Sequence, residues 1–382
     1  MQSIRGNAYN LSSPVVGMLQ KKRTLDLLRT PGNSNIFVLK DDGNGLFSVE
    51  AYISNGPMSV NIKKMGVPYI ENVPMETLSI LKDGDVVLAT PDGQLSVIYD
   101  SMSLHNCIFT TNRCNLKCVM CPQLPSSESD PLIRNQIAAI RLMAHHKPQY
   151  LAITGGEPTL LESSLSELID ACKRYIPKTP LIILTNGKKL KNFSFVKEIS
   201  EIQHPNLRFA IPLYSDDYST HDKIVGIPGS FFDTIKGLHN LALFDQNIEI
   251  RTVVLPQNAS RLPNLAEFIY RNLTFVLHIA FMGMEVTGLA RQNADALWQD
   301  PATYANDLEK TFRYLNRVDM VASIYNFQLC ILPEKLWPFC RKSISDWKNG
   351  YMEECVECVR KNECGGFFTT SGEYKSKNIH KF

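Results

Sequence analysis

The sequence predicts an α/β fold built on a parallel sheet, with a small β-rich domain before it and a cysteine-rich module after it. Six apolar runs alternate with segments of helical period between residues 106 and 283. Short extended runs separated by turn residues fill about residues 12–100, and a tail rich in cysteine closes the chain. Strands and helices that alternate along a chain form a parallel sheet with right-handed crossovers. We therefore divide the chain into residues 1–104, 105–300 and 301–382.

Composition and charge exclude several classes of protein. The chain has 382 residues, of which 44% are hydrophobic and 20% charged, and its net charge is +2. This length supports two or three domains with a sizeable core. Near-neutral charge without a basic block argues against a nucleic-acid partner. Without a run of eighteen apolar residues or an apolar leader segment, we expect no membrane span and no signal peptide. The sequence thus predicts a soluble, cytoplasmic protein.

The ten cysteines of the chain fall mostly into two groups with the spacing of metal ligands. In a large chain without a signal peptide, such groups indicate metal binding in a reducing compartment rather than disulfides. Cys107 and Cys172 lie outside the groups, and we interpret them as buried small hydrophobic residues.

The first domain is predicted from short β-like runs. Pro91, Asp92 and Gly93 separate the runs DVVLAT and LSVIYD, which predicts a β-hairpin because Gly supplies the positive φ of a tight turn. The domain contains no convincing catalytic cluster. A docking or shielding role is our hypothesis for it.

The central domain contains six apolar runs, most of them continuous enough for strands that are buried on both faces. The runs are NCIFT, QYLAIT, LIILT, LRFAIPL, IEIRTVVL and FVLHIAFM, and helix-period segments lie near residues 131–146, 161–175, 193–202, 229–244 and 260–272. The reactive edge of such a sheet is formed by the carboxyl ends of its strands. Polar residues that follow the runs are therefore expected to share one site.

The loop after the first run, TTNRCNLKCVMCPQ, carries Cys114, Cys118 and Cys121 in a C-x3-C-x2-C spacing. This is the spacing of an open-site 4Fe-4S cluster, in which three irons are held by cysteine and the fourth keeps positions for a small ligand. A zinc knuckle or three buried cysteines are the alternatives. Zinc, however, usually takes a fourth protein ligand and paired C-x2-C spacings.

The second run is followed by Gly155, Gly156, Glu157 and Pro158. A glycine pair lets the backbone approach a ligand closely, and the Glu157 carboxylate can accept an ammonium group. The same residues also suit an ordinary strand-to-helix turn.

Three further strand ends offer polar groups. The third run ends at Thr185 and Asn186. These residues suit two interpretations equally, a ligand-binding pair and a simple Asn-Gly turn. Glu249 and Arg251 share one face of the fifth run because they are two residues apart. Arg251 can bind a cofactor carboxylate or pair with a protein acid such as Glu249, and we favour the protein acid. Glu285 follows the sixth run and either faces a substrate or caps the next helix.

The tail carries the second metal signal, Cys355-x2-Cys358-x5-Cys364. A closed cluster needs a fourth ligand, for which Cys330 and Cys340 are the candidates. We prefer Cys330 because it lies in a strand-like run, VASIYNFQLCIL. A structural zinc site is the alternative, since C-x2-C with two more cysteines suits zinc equally well.

The cysteine loop, followed one βα unit later by GGEP, resembles the radical S-adenosylmethionine (SAM) superfamily. The resemblance implies an incomplete (β/α)6 barrel that holds a 4Fe-4S cluster on the cysteine loop and SAM on its free iron. It also implies a 5'-deoxyadenosyl radical that abstracts hydrogen from the substrate. GGEP would receive the amino group of SAM, and Thr185, Asn186 and Arg251 would lie near the cofactor. Met120 departs from the aromatic residue that often precedes the third cysteine.

The tail resembles the auxiliary-cluster modules, called SPASM or twitch domains, of radical enzymes that act on peptides. The full SPASM pattern has more cysteines than this tail supplies. The resemblance therefore implies one auxiliary 4Fe-4S cluster.

A more specific resemblance covers about residues 106–370, most clearly in the stretches TNRCNLKCVMCPQ, HIAFMGMEVTGLA and RKSISDWKNGYMEECVECVRKNECGGFF. These are similar to the C-type radical maturase of the His-Xaa-Ser system. The resemblance implies a partner protein with His-Xaa-Ser repeats that is modified, plausibly by cross-linking, beside a sister maturase and an electron donor. It names no catalytic residue. The alternatives are a radical SAM enzyme on another substrate and a non-catalytic iron–sulfur partner of the sister maturase.

Overall fold

Two eight-stranded sheets organise the part of the chain that the structure describes. The structure is a computed structural model, and it describes residues 4–21, 35–41, 47–127, 130–342 and 348–382. The first sheet occupies the N-terminal region, and the second runs through the centre of the chain. A two-stranded sheet lies in the C-terminal tail.

The first sheet closes on itself through the first extended segment of the chain. Its elements are β1 (Ile4–Arg5), β2 (Asn7–Tyr9), β3 (Val15–Gln20), β4 (Asn35–Asp41), β5 (Phe47–Ser54), α1 (Val60–Met65), β6 (Tyr69–Glu71), α2 (Met75–Ile80), β7 (Val86–Ala89) and β8 (Gln94–Tyr99). The strand order is β1-β8-β7-β3-β4-β5-β6-β2, and every pair is antiparallel except β5 with β6. Only Gly6 separates β1 from β2. One short segment therefore joins both ends of the sheet.

The predicted hairpin connects β7 to β8, which pair antiparallel. Gly93 in its turn has a φ of +82°, and its N–H donates to the Thr90 carbonyl at 2.9 Å. This positive φ is the reason that the turn contains glycine. The hairpin prediction is confirmed.

The second sheet is parallel throughout and contains all six predicted strands. Its strands are β9 (Asn106–Phe109), β10 (Leu151–Thr154), β11 (Leu181–Leu184), β12 (Leu207–Pro212), β13 (Asn247–Val253), β14 (His278–Met282), β15 (Ala322–Tyr325) and β16 (Cys340–Arg341). They are ordered as they occur in the chain. Among the described strands, β9 and β16 form the two edges, so the sheet is an open, incomplete barrel.

Two strands of this sheet, β15 and β16, were not among the six predicted. The stretch that contains β15 was predicted as strand-like but assigned to the C-terminal module, whereas it pairs with β14. β16 has two residues and pairs only with β15. A strand this short has no periodicity of its own, because its pairing depends on a neighbour that is distant in the sequence.

Helices cover the outer face of the second sheet and connect its strands. They are α3 (Ile133–Met143), α4 (Ser163–Tyr175), α5 (Phe193–Glu201), α6 (Tyr218–Val225), α7 (Ser230–Leu243), α8 (Leu262–Asn272), α9 (Gly288–Gln292), α10 (Ala294–Leu297) and α11 (Ala305–Arg317). The predictions missed α6, although Asp217 caps its first turn and Gly226 ends it with a left-handed residue. No helix in the described ranges is both long and apolar enough to cross a membrane.

The two faces of the parallel sheet differ in character. Large apolar side chains such as Phe209, Ile250 and Phe281 are fully buried against the helices. Alternate residues point to the opposite, inner face. There the structure places a separate and smaller apolar cluster, which consists of Ala152, Ile182 and Ala210. The same face carries polar residues on neighbouring strands, including Glu249, which is buried.

The first sheet docks on α3 through a buried acid. Asp41 at the end of β4 is 4% exposed, and its carboxylate lies 3.1 Å from His145 Nε2. Arg141 donates to the backbone carbonyl of Asp41. On the same side, His146 contacts Met18 of β3. These contacts bind the N-terminal sheet to the first helix of the parallel sheet.

Replacing Asp41 by Ala is expected to loosen this docking by about 1–3 kcal/mol, because His145 loses a buried acceptor, whereas Arg141 keeps its bond to the backbone carbonyl. Hydrogen–deuterium exchange should become faster in β3, β4 and α3, and thermal unfolding should begin earlier. Asp92→Ala is the matched control, since Asp92 pairs with Arg5 on the surface of the same domain. Equal exchange in the two variants would mean that Asp41 does not hold the docking.

Candidate iron–sulfur site

The cysteine loop leaves β9 at the carboxyl edge of the parallel sheet and packs directly on the turn that follows β10. The Thr110 N–H donates to the Thr154 carbonyl at 2.8 Å. The Gly156 N–H donates to the Thr111 carbonyl at 2.7 Å, and the Glu157 N–H donates to the Arg113 carbonyl at 2.8 Å. Three backbone hydrogen bonds thus bring two of the sequence-predicted motifs together.

The glycine pair is required by this close packing. A Cβ at Gly156 would lie 2.2 Å from the Arg113 carbonyl oxygen, and one at Gly155 would lie 2.6 Å from the Thr111 carbonyl oxygen. Both obstacles are backbone atoms, which cannot rotate away as a side chain can. The glycines therefore position the cysteine loop, whatever else they contact.

The other side of the cysteine loop is held by two helices. The N–H groups of Lys117 and Val119 donate to the last carbonyls of α6 at 2.9 and 3.0 Å. Leu289 in α9 donates to the Cys121 carbonyl at 2.8 Å, and Asn293 donates its side-chain N–H to the Val119 carbonyl at 2.8 Å. Met120 is buried in the apolar cluster beneath the loop. The loop is therefore held by hydrogen bonds on both sides.

The three thiols of the loop stand close enough to influence one another. Burial, followed by the charges of Cys121 and Cys114, raises the pKa of Cys118 to about 12. Burial also raises the pKa of Cys114 and of Cys121. Three thiolates gathered in such a place need a positive partner, which a cationic iron cluster supplies. The donor set therefore fits a cluster with one open iron.

Protein donors already surround the Glu157 carboxylate, and its contact with an ammonium group stays a prediction. Glu157 is fully buried and accepts four hydrogen bonds. The donors are the Thr159 N–H and hydroxyl at 3.0 and 2.5 Å, the Thr185 hydroxyl at 2.6 Å and the Asn186 N–H at 2.6 Å. A ligand ammonium would have to displace these donors. Pro158, next to Glu157, begins a buried 3-10 turn that leads to α4.

Asn186 connects the third strand to the cysteine loop. Its side-chain N–H donates to the Asn115 side-chain carbonyl at 2.7 Å. Burial raises the pKa of the nearby Cys114 thiol, and the Asn186 side chain opposes this effect. Gly187 takes a φ of +79°, as an Asn-Gly turn requires. The structure thus brings Thr185 and Asn186 to the site, and cofactor contact by either residue stays a prediction.

Arg251 pairs with a protein acid, as we favoured. Its Nε donates to Glu249 Oε1 at 2.6 Å, and Arg208 lies 3.3 Å from the other carboxylate oxygen. That oxygen is also 3.1 Å from His278 Nδ1, whose Nε2 lies 3.0 Å from the Ser323 hydroxyl. Cofactor binding by Arg251 stays a prediction.

This network on the inner face went unnoticed in the sequence, except for Glu249 and Arg251. Burial alone would raise the pKa of Glu249, but the hydrogen bond with His278 and the charge of Arg251 outweigh it and lower the pKa to about 2. Arg208, His278 and Ser323 come from three other strands. Their only sequence signal is a polar residue inside an apolar run.

The second set of cysteines surrounds a cavity in the C-terminal tail. Cys330, Cys355, Cys358 and Cys364 all line it, whereas Cys340 does not. Cys330, the residue that we preferred, thus lines the same cavity as the other three thiols, and its role as a ligand stays a prediction. The strand predicted for it is wrong, because Cys330 lies in a 3-10 turn, Leu329–Ile331. The N–H groups of Leu329 and Gly366 lie 3.5 and 3.4 Å from the Cys364 sulfur. Hydrogen bonds to sulfur are usual at iron–sulfur sites.

Two kinds of metal site suit these four thiols. A closed 4Fe-4S cluster takes four cysteine ligands, and a tetrahedral zinc site also takes four. Among the described residues, no group of three or more His, Cys, Asp or Glu side chains is close enough to hold a single metal ion. The cysteine-rich tail is compatible with the predicted auxiliary 4Fe-4S cluster, which stays a prediction.

A family model now identifies the central region. Residues 108–269 match the model of the Radical SAM superfamily. These residues form a radical SAM domain. The superfamily uses a 4Fe-4S cluster and SAM, and the match contains the cysteine loop, Gly155 to Glu157 and Arg251. The fold is the α/β radical SAM fold with a parallel sheet.

Two curated proteins and one solved structure are among those that resemble the chain. Fe-coproporphyrin III synthase of Methanosarcina barkeri is 26% identical over 42% of this chain and 39% of its own length. The antilisterial bacteriocin subtilosin biosynthesis protein AlbA of Bacillus subtilis is 25% identical over 44% of this chain and 36% of its own. SuiB of Streptococcus suis, solved with its precursor peptide SuiA, matches with a TM-score of 0.51 and 17% identity over 59% of this chain and 50% of its own.

These similarities are partial. The chain spans between 36% and 59% of the lengths of the curated relatives that it matches. At 17% identity, the likeness to SuiB shows the fold alone.

Replacing Gly156 by Ala is expected to displace the cysteine loop, since its new methyl group would overlap the Arg113 backbone. Overpacking of this kind costs about 1–3 kcal/mol. We expect less iron and sulfide bound after anaerobic reconstitution, measured by chemical assay. Gly350→Ala is the matched control, because its Cβ would meet no atom closer than 3.6 Å. Full iron loading of the Gly156 variant would contradict this role.

Glu249 is expected to make stability depend on pH. Its pKa is lowered from 4.5 to about 2 in the folded protein. At pH values above 4.5, the ionised Glu249 therefore adds about 3 kcal/mol to the free energy of unfolding. That contribution is lost as the pH falls from about 4.5 towards 2. In chemical denaturation, the loss of unfolding free energy caused by Glu249→Gln should be large near neutral pH and smaller at about pH 3.5.

The control for this pH dependence is Glu267→Gln, because Glu267 pairs with Arg271 on an exposed helix face. It should change the stability little at either pH. A Glu249→Gln effect that does not shrink in acid would contradict the lowered pKa.

Proposed function

We propose that the protein is a radical SAM enzyme that modifies a peptide or small protein, and that its substrate carries His-Xaa-Ser repeats. The observation that carries the proposal is the pair of cysteine sites: an open three-cysteine loop in a radical SAM domain and a four-cysteine cavity in the same chain. An open site suits chemistry, whereas a closed site suits electron transfer or structure.

Two relatives support a peptide substrate. AlbA is named for the biosynthesis of a bacteriocin, subtilosin, and SuiB was solved with a precursor peptide. The proposal of a partner with His-Xaa-Ser repeats depends only on the resemblance of the longer sequence stretches. A sister maturase and an electron donor are proposed on the same ground. The ten free cysteines agree with a reducing compartment, for which we propose the cytoplasm.

The residues of the chain have separate tasks in this function. When bound, the cluster and SAM supply an organic radical that takes a hydrogen atom from a C–H bond of the substrate. Cys114, Cys118 and Cys121 would hold that cluster, and Gly155 with Gly156 lets their loop pack on the strand ends. Cys330, Cys355, Cys358 and Cys364 would hold the auxiliary cluster. The fold holds the loops that carry these cysteines in place before a cluster binds. Binding therefore does not have to overcome the conformational entropy of ordering the loops.

A small-molecule substrate is the second candidate function. Fe-coproporphyrin III synthase is one of the relatives, and its name indicates a porphyrin rather than a peptide. That match covers 42% of this chain. The auxiliary cavity in the tail favours the peptide instead. A non-catalytic partner of another maturase is the remaining alternative, although such a partner needs no open iron.

Anaerobic reconstitution with iron and sulfide tests the two cysteine sites. Two 4Fe-4S clusters predict about eight irons per chain, and either Cys118→Ala or Cys355→Ala should remove about half of them. Cys172→Ala is the control, since Cys172 is buried in the core away from both sites. Unchanged iron in Cys355→Ala would contradict the auxiliary cluster.

Activity is tested on the same preparations with SAM, a reductant and a synthetic peptide of His-Xaa-Ser units. We expect 5'-deoxyadenosine to form and the peptide to lose two hydrogens. Mass spectrometry detects the change in the peptide. Deoxyadenosine with an unchanged peptide would contradict this substrate and keep the enzyme class. No deoxyadenosine under any condition would favour the non-catalytic partner.

A further inference from the structure

A cleft lies between α8 and α11, on the outer side of the parallel sheet. The opposite sides of these two helices are buried in the main core, through residues such as Leu265 and Phe312. The cleft offers about 670 Å3 of space that solvent can enter, which is within the range of ligand-binding clefts. A ligand could therefore reach its lining side chains from solvent.

Two arginines of α11 line this cleft without an acidic partner. Both Arg313 and Arg317 are exposed, and no carboxylate in the part of the chain that the structure describes pairs with either of them. They are four residues apart, so they lie on the same side of the helix, where two like charges repel each other. An anion held by both side chains would relieve this repulsion.

The acidic groups around the cleft are already paired with other cations. Glu267, which lines the α8 side, lies 2.6 Å from Arg271. Asp307 in α11 lies 3.2 Å from Lys310, which also lines the cleft. The positive charges of the two arginines are therefore left unbalanced, and the cleft favours an anionic ligand over a cationic one.

The spacing of the arginines indicates how the charges of the ligand are arranged. Side chains four residues apart on a helix start about 6 Å from each other. In an extended peptide, side chains two residues apart are on the same face and about 6.6 Å apart. Each guanidinium group can bind one carboxylate through two parallel hydrogen bonds. An extended segment with Asp or Glu at alternate positions thus matches Arg313 and Arg317.

The remaining lining residues suit a peptide better than a small inorganic anion. Asn264 and Asn316 line the cleft with amide groups, which can both donate to and accept from a peptide backbone. The guanidinium carbon of Arg317 lies 5.5 Å from the centre of the Tyr314 ring. Tyrosine and arginine are enriched where protein partners bind most strongly. The composition of the cleft therefore favours a protein partner.

We propose that the cleft between α8 and α11 binds an acidic, extended segment of the partner protein, with Arg313 and Arg317 each on a carboxylate of that segment. The inference rests on the proposed function, and it adds a recognition site separate from the two cysteine sites. The cleft lies on the outer side of the sheet, whereas the cysteine loop packs at its carboxyl edge. The recognised segment therefore lies outside the part of the partner that is modified.

Two labelled peptides test this site, one with Glu at alternate positions and one with Gln at the same positions. Each is titrated with the reconstituted full chain at low salt, and binding is followed by fluorescence anisotropy. The natural protein should bind the Glu peptide about tenfold more tightly than the Gln peptide. Arg313→Gln and Arg317→Gln should each weaken binding of the Glu peptide about threefold, and the double variant should bind the two peptides equally.

The matched control also removes two positive charges from exposed helix faces. It combines Arg174→Gln and Lys197→Gln, whose positive groups pair with Asp170 at 2.9 Å and with Glu201 at 3.7 Å. The control should bind the Glu peptide as tightly as the natural protein does. An equal loss of binding in the control, or full binding by the double arginine variant, would overturn the proposed site.

Thermal unfolding separates a role in binding from a role in folding. Because Arg313→Gln removes one of two repelling charges, this variant should melt at the same temperature as the natural protein or higher. Weaker binding together with a lower melting temperature would assign Arg313 to the fold and contradict the proposal.

Two other occupants are tested with the same variants. A dimer of the natural chain that dissociates in the double arginine variant, detected by analytical ultracentrifugation, would place a second copy in the cleft. Displacement of the Glu peptide by an equal concentration of inorganic phosphate would indicate a site for small anions. Either result would overturn the acidic segment as the ligand.

A last assay distinguishes failure of the cleft from failure of the proposed function. A His-Xaa-Ser peptide is supplied with SAM and a reductant, either alone or extended by the Glu segment. The extension should lower KM about threefold in the natural protein and leave it unchanged in the double arginine variant. Binding of the Glu peptide without any 5'-deoxyadenosine would contradict the proposed function and keep the cleft. Product formation with equal KM values for the two peptides would contradict the cleft and keep the proposed function.

Discussion

The buried carboxylate of Glu157 is the interaction on which the candidate site depends. It accepts hydrogen bonds from Thr159 in its own turn and from Thr185 and Asn186 in the next one. Burial raises its pKa, and the donors around it oppose that effect. The turn after β10 is thereby fixed to the turn after β11, and it is also the surface on which the cysteine loop packs. A carboxylate that a ligand could reach would exchange these donors for water and leave the turns less firmly joined.

The sequence predicts the parts of this site that depend on local spacing. Cys114, Cys118 and Cys121 lie within eight residues, so their spacing alone indicates a cluster. The six runs of the sheet were predictable because each is long enough to show its own pattern. The role of Glu157 was not, because its partner Thr185 is 28 residues away and only the parallel pairing of β10 with β11 brings them together. The contact of Ser323 with His278 escaped prediction for the same reason.

Cys330 shows a second limit of prediction from the sequence. Its identity as a ligand candidate followed from counting cysteines, but its local structure did not. The run VASIYNFQLCIL is apolar enough to suggest one long strand, whereas β15 ends at Tyr325 and Asn326 turns the chain with a positive φ. The 3-10 turn that follows places Cys330 beside Cys364 and Cys355, whose charges affect its pKa. Apolar composition predicts burial here, and the hydrogen-bonded turn decides the direction of the side chain.

The segment between β14 and α11 relates the two cysteine sites to each other. Its N–H groups hold the cysteine loop through Leu289 and Asn293. The same segment is hydrogen-bonded to the tail. Arg291 donates to the Thr370 carbonyl at 2.9 Å, and the Asp295 carboxylate accepts from the Tyr374 hydroxyl. Hydrogen bonds from one short segment to the cysteine loop and to the tail restrict how far the loop and the tail can move apart. The spacing of the two cysteine sites depends on these contacts, because one site lies on the loop and the other lies in the tail.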